Sequence, residues 1–144
     1  MIKIRWQLRL RTCALLMRAV MVTSIAIGQA NVCFAESLAD FNGDADRGRL
    51  VFGQCRTCHY PEAFIGHHNG PNLAAIFGKT AGKQAGFDDY SETFKAATFV
   101  WTPELLFAWL TDVEGMFPET TMMSLGVPDP QARADLIAYL QRFQ

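Results

Sequence analysis

Cys55-Arg56-Thr57-Cys58-His59 is the stretch that decides how the rest of this chain is read. Two thiols at this spacing, at a helix end and the turn after it, can add to the two vinyl groups along one edge of a porphyrin. The adjacent imidazole can then swing under the ring and offer a nitrogen to iron, and C-x-x-C-H is the attachment signature of a c-type haem. Three other readings compete. A thioredoxin-like redox pair requires a βαβ setting, and the chain has no convincing pair of period-two apolar runs. Structural zinc takes four protein ligands, commonly from two paired knuckles; a second knuckle is missing, although His67 and His68 could assist. The third reading is a small structural disulfide. Export and a helical frame favour haem over all three.

Export is read from residues 1–35. Lys3, Arg5, Arg9 and Arg11 form a basic start. An apolar stretch from Cys13 to Ile27 follows, interrupted by Arg18. Small side chains before Ala35 complete the pattern of a secretory signal cleaved near that residue. Arg18 leaves the apolar run short of the roughly 20 residues a membrane span needs, so an uncleaved anchor is the second reading and a cytosolic protein the third. The domain expected is 36–144, located in the periplasm, with membrane attachment only if residues 1–35 are retained. Five of the 13 Lys/Arg and none of the 14 Asp/Glu lie in 1–35. Residues 36–144 therefore carry eight basic and fourteen acidic side chains, a formal charge of −6 against −1 for the whole chain. Such a domain is a poor nucleic-acid binder and is attracted to basic patches on other proteins. Cys13 and Cys33 leave with the signal, so Cys55 and Cys58 are the cysteines that remain in an oxidising compartment.

Working outward from the motif, helical signals dominate. Asp44 can cap a helix from about Ala45 to Cys55, with Gly48, Val51, Phe52 and Cys55 on one face. Residues 56–90 form a long Gly-rich loop with one helical turn expected near Asn72–Phe77, closed by Gly78. A structureless loop of that length is out of place in a compact domain unless it wraps a prosthetic group. Ser91 starts a short helix through Ala97. Thr102-Pro103-Glu104 starts another to about Asp112. Residues 113–128 read as a second loop, and Asp129-Pro130 starts the last helix, whose stripe is Leu136, Ile137, Leu140 and Phe143, with Arg133 and Arg142 toward solvent or the loops. The fold class expected is all-α: four to five short helices and long loops wrapped around one covalent haem.

His59 supplies one axial ligand to iron, and the second must come from elsewhere. Met116, Met122, Met123, His67 and His68 are the candidates. A lone Met is commonly core filler, but adjacent Met122 and Met123 follow Pro118-Glu119-Thr120-Thr121 in a Pro/Gly-rich loop. The residues alone leave the ligand open between these two. A thioether favours reduced iron, so His/Met ligation raises the reduction potential.

With these residues in view, the chain resembles the class I cytochromes c of the mitochondrial and bacterial c2 type, over about residues 43–143. The matching segments are Gly43-Asp44, Gly48 with Phe52, Cys55–His59, Gly70-Pro71-Asn72-Leu73, Phe77-Gly78, Gly86-Phe87, Tyr90-Ser91, Trp101, Pro118-x-Thr120-x-Met122 and Arg133–Leu140. The resemblance implies that Met122 is the distal iron ligand. It implies that the Pro71 carbonyl accepts the ring N–H of His59, that Tyr90 and Trp101 bond haem propionates, and that Thr120 bonds near the propionates or the ligand loop. It also implies that Gly48 and Phe52 meet Leu136 and Tyr139 where the first and last helices cross, and that His67 ties loops together. Trp109 stands where the family usually has Tyr, and Phe94 where it has Asn; both changes remove polar groups from the distal side. Lys79 replaces an Arg. Glu114, Gly115 and Thr121 occupy positions often basic in the family, so its lysine ring around the haem edge is depleted.

The function implied is a periplasmic one-electron carrier, monomeric, meeting redox partner proteins transiently through the exposed haem edge and holding no open iron site for substrate, hence not an enzyme. Two alternatives are a haem subunit of a periplasmic dehydrogenase complex, and a haem enzyme or gas sensor with a labile distal ligand.

Overall fold

A computed structural model describes residues 36–144; the expected export segment 1–35 lies outside the described residues. Five α-helices are present among them: α1 (Ala45–Val51), α2 (Glu92–Lys95), α3 (Pro103–Trp109), α4 (Val113–Met116) and α5 (Pro130–Leu140). Regular strands are absent among the described residues, where the only β-type pairing is an isolated antiparallel bridge between Thr80 and Val100. Each helix begins at a side chain that accepts backbone N–H groups left over at its start. Asp44 accepts from Asp46 and Arg47, Ser91 from Phe94, Thr102 from Leu105, Asp112 from Gly115 and Asp129 from Ala132. Pro103 and Pro130 follow their caps, where a missing N–H costs nothing.

The boundaries depart from the sequence reading in four places. α1 stops at Val51, and a 3₁₀ turn, Phe52–Gln54, carries the chain to Cys55. The turn expected at Asn72–Phe77 is not helical, because the Asn72 side chain competes for the local backbone: its Oδ1 accepts from Ala74 N at 2.8 Å, and its amide donates to Glu62 O and Gly66 O. A 3₁₀ turn lies instead at Ala63–Ile65. The stretch 113–128 contains α4, which the Gly115 and Pro118 signals hid and which the Asp112 cap supports.

The core forms where α1 crosses α5. Gly48 is buried on the Asp135–Tyr139 turn of α5; a Cβ there would overlap Asp135 O and lie 2.8 Å from Tyr139 Cβ. Phe52, one turn on, packs on Tyr139 with ring centroids 5.4 Å apart. The crossing is locked by the buried Asp135 carboxylate, which accepts from Asp44 N at 2.7 Å, Arg47 Nε at 2.7 Å and Arg47 Nη2 at 2.9 Å. The hydrogen bond from Arg47 holds this carboxyl below the ordinary 3.8. Arg133 does not face solvent. It is 1 % exposed, lies 4.5 Å over the Phe107 ring, and donates to Val127 O and Pro128 O as well as to Glu36. Paired and bonded in this way, a guanidinium can tie the loop before α5 to the core.

A second set of aromatic side chains surrounds Phe94 on α2. Tyr90, Phe99, Trp101, Trp109 and Phe117 all place their ring centroids 5.2–6.4 Å from it, the range of favourable offset and edge contacts.

Gly48→Ala is expected to cost about 3 kcal/mol in guanidinium denaturation, because backbone and not a flexible side chain blocks the new methyl. Gly53→Ala, where a Cβ meets nothing within 4 Å, is expected to change the midpoint little. Equal effects would contradict the close crossing. Because its folded pKa is depressed, Asp135 adds stability that is fully present above 3.8 and lost as the pH falls below it toward the folded value. Asp135→Asn should flatten that limb of a stability-versus-pH curve.

Candidate haem attachment site

The end of α1 and its 3₁₀ extension deliver the thiols and the imidazole in one turn: Cys58 N and His59 N both donate to Cys55 O, at 3.1 and 2.9 Å. Cys55 and Cys58 are half-buried free thiols. Burial first, and Cys58 second, push the Cys55 thiol up to about 11. A redox-active C-x-x-C pair needs a thiol pKa moved the other way. A zinc site would need a third and fourth ligand, and among the described residues no group of three or more His, Cys, Asp or Glu is placed to hold a metal ion. The donor set suits thioether formation with a porphyrin edge better than either.

The imidazole is fixed from behind. His59 Nδ1–H donates to Pro71 O at 2.7 Å, which assigns the lone pair to Nε2. Burial lowers the His59 pKa, opposed by the Pro71 bond, so the ring is neutral. Gly70 N donates to Cys58 O at 2.9 Å, and a Cβ on Gly70 would lie 2.7 Å from His59 Nε2. The ring therefore occupies space that only glycine leaves open. A neutral imidazole whose far nitrogen is held by a carbonyl is the form that ligates metal.

His67 holds the loop that carries Pro71. Its Nδ1 accepts from Asn72 N at 2.9 Å, and its Nε2–H donates to Ala85 O at 3.0 Å. His68 instead sits exposed, edge-on to Tyr60. Lys79 donates to Ala74 O at 2.7 Å and Gln84 Oε1 at 3.0 Å, bracing the same loop. Asn72 is buried at the centre of this network. From the sequence it stands in the matched segment Gly70-Pro71-Asn72-Leu73 with no role of its own; a short amide side chain directly after Pro71, able to bond nearby backbone, was the available signal.

The remaining sequence candidates lie around the same core. Tyr90 is half-buried, edge-on to Phe87 at 4.8 Å, and burial raises its hydroxyl pKa. Trp101 is buried and stacked on Phe94. Trp109 donates its indole N–H to Val113 O at 3.3 Å, so its polar edge is spent on the first residue of α4. Thr120 Oγ1 accepts from Met122 N at 3.2 Å. Of the two tied methionines, Met122 is half-buried and packs against the core, whereas Met123 is fully exposed. Cys55, Tyr90 and Met122 thus border one core.

Comparison with known proteins places this geometry in company. The chain is 40 % identical over 110 residues to cytochrome c of Chlamydomonas reinhardtii, covering 76 % of this chain and 95 % of the relative. It is 38 % identical over 109 residues to cytochrome c of Guizotia abyssinica, covering 75 % and 95 %. Among solved structures, cytochrome cH from Methylobacterium extorquens superposes with a TM-score of 0.64 at 34 % identity, covering 69 % of this chain and 99 % of that one. No protein-family model matches the chain.

His67→Ala leaves the Asn72 amide without its acceptor and parts the loops at 72 and 85. The expected cost is about 2 kcal/mol, with faster hydrogen exchange at the Asn72 amide; unchanged exchange there would remove His67 from the bracing role.

Proposed function

From a chain that belongs to the class I cytochromes c, we propose a diffusible one-electron carrier that is exported to the periplasm and cleaved near Ala35. As a cytochrome c it is an electron-transfer protein and not an enzyme, and it carries haem c through Cys55 and Cys58. When bound, that haem supplies one-electron redox chemistry.

In this reading His59 and Met122 would hold the haem iron. The observation that carries it is the hydrogen bond from His59 Nδ1 to Pro71 O at 2.7 Å, because it orients a neutral imidazole with Nε2 free and strengthens that nitrogen as a donor. The choice of Met122 over Met123 is supported by burial: one side chain is packed against the core, the other stands in solvent. The Thr120 bond to the Met122 amide pins the backbone of the ligand loop. Tyr90 and Trp101, bordering the aromatic cluster, are assigned to the propionates. Two strong protein ligands leave no coordination site for substrate, which favours a carrier over a gas sensor. The drier distal side created by Phe94 and Trp109 raises the potential, while loss of a hydroxyl near the Met sulfur lowers it.

Export is supported by the basic and apolar pattern of residues 1–35, and no helix among the described residues is long and apolar enough to cross a membrane. The domain proposed is 36–144, monomeric, with transient redox partners. Intact mass of the exported protein is expected to equal residues 36–144 plus one haem. Its spectrum should show a sharp reduced α-band and a weak band at the red edge from sulfur bound to iron(III). Met122→Ala should abolish the weak band and Met123→Ala should keep it; the reverse result refutes the assignment.

A further inference from the structure

The six ion pairs among the described residues neutralise much of the molecule unevenly. They engage Arg47, Arg56, Lys95, Arg133 and Arg142, with their carboxylate partners on the α1–α5 side, beside the motif and on α2. None of them uses Asp88, Asp89 or Glu119, all three of which are exposed. The two chain segments that carry these acids meet at a contact that sequence distance hides: Thr121 Oγ1 donates to the backbone Asp89 O at 3.3 Å across 32 positions. The same segment then alternates. Met122 and Ser124 are half-buried, while Met123 and Leu125 are 101 % and 96 % exposed. Two large apolar side chains are therefore held in water on the solvent side of the loop whose inner side packs Met122 on the core.

Isolated exposed apolar residues are ordinary. Here they follow Thr121, the residue that meets Asp89, with Glu119 just before it in the same exposed segment; apolar side chains set among unpaired acids give the composition of an interface with an apolar centre and a charged rim. We propose that Asp88, Asp89, Glu119, Met123 and Leu125 form the docking face for a redox protein whose own face carries Lys or Arg around an apolar patch. The proposal rests on the electron-carrier function and adds the place of the encounter and the residues that make it. Carboxylates on the rim steer the approach of a cationic partner, and the two apolar side chains are desolvated on contact. The net charge of −6 on residues 36–144 adds a long-range attraction of the same sign.

The test uses the mature haem-loaded protein. Reduced protein is mixed with tris(phenanthroline)cobalt(III), a cation with apolar ligands, which takes one electron and becomes cobalt(II). Asp88→Asn/Asp89→Asn is expected to slow this reaction about fivefold at low salt, with the difference vanishing at about 1 M salt, where charges are screened beyond roughly 3 Å. Glu104→Lys changes net charge by the same two units at an exposed position in the first turn of α3 and should have a smaller effect; equal slowing would reduce the effect to net charge and overturn the face. Amide NMR shifts on adding a lysine–leucine amphipathic peptide should map to residues 88–90 and 119–125, and weaken in Met123→Ser. Shifts elsewhere overturn the proposal. So do shifts of the same amides that grow with protein concentration alone, which would assign the face to a second copy of the chain. Absence of the reduced α-band in the starting protein would instead defeat the haem reading itself, a failure these outcomes do not share.

Discussion

The close crossing of α1 on α5 is the constraint from which the site follows. Gly48 has no side chain, so the two backbones meet, and the Arg47–Asp135 pair closes the N-terminal side of the contact. Because α1 is held there, its 3₁₀ continuation ends with Cys55 against the core and the motif turns away from it. Removing the crossing would leave the C-x-x-C-H turn as a solvated loop end, with thiols and imidazole in no fixed relation.

Burial then sets the chemistry. It raises the Cys55 thiol and lowers the His59 imidazolium, so both groups are neutral in the folded chain. Neutral groups can line an apolar site without the desolvation cost of charges. The loop 60–90, which has almost no regular structure, is nevertheless well satisfied: His67, Asn72 and Lys79 accept or donate to its backbone at several points. Side-chain hydrogen bonds replace the ladders that a helix or sheet would supply. The result is a loop stiff enough to hold Pro71 O at hydrogen-bond distance from His59.

Charge is arranged separately from this frame. Most cations are committed to ion pairs that brace helices, so the surface sign is left to unpaired acids. This class I cytochrome c has the family's fold and a formal charge of −6 over residues 36–144.

Much of this was legible in the linear chain. The caps Asp44, Ser91, Thr102 and Asp129 announce their helices because capping is decided within three residues, and the C-x-x-C-H motif is chemically complete in five. The absence of the turn at Asn72–Phe77, the presence of α4 and the burial of Arg133 were not legible, since each depends on partners distant in sequence or on a side chain that competes with the backbone. The linear chain was enough for the attachment chemistry and the helical class, which rest on local spacing, and for the family, which rests on motifs spread in order over residues 43–143. Only the tertiary structure decided which of Met122 and Met123 is packed and which is exposed, which imidazole nitrogen is held by a carbonyl, and that Asp89 lies beside Thr121. Those outcomes require the chain to fold back on itself, where burial and not residue type distinguishes one side chain from its neighbour.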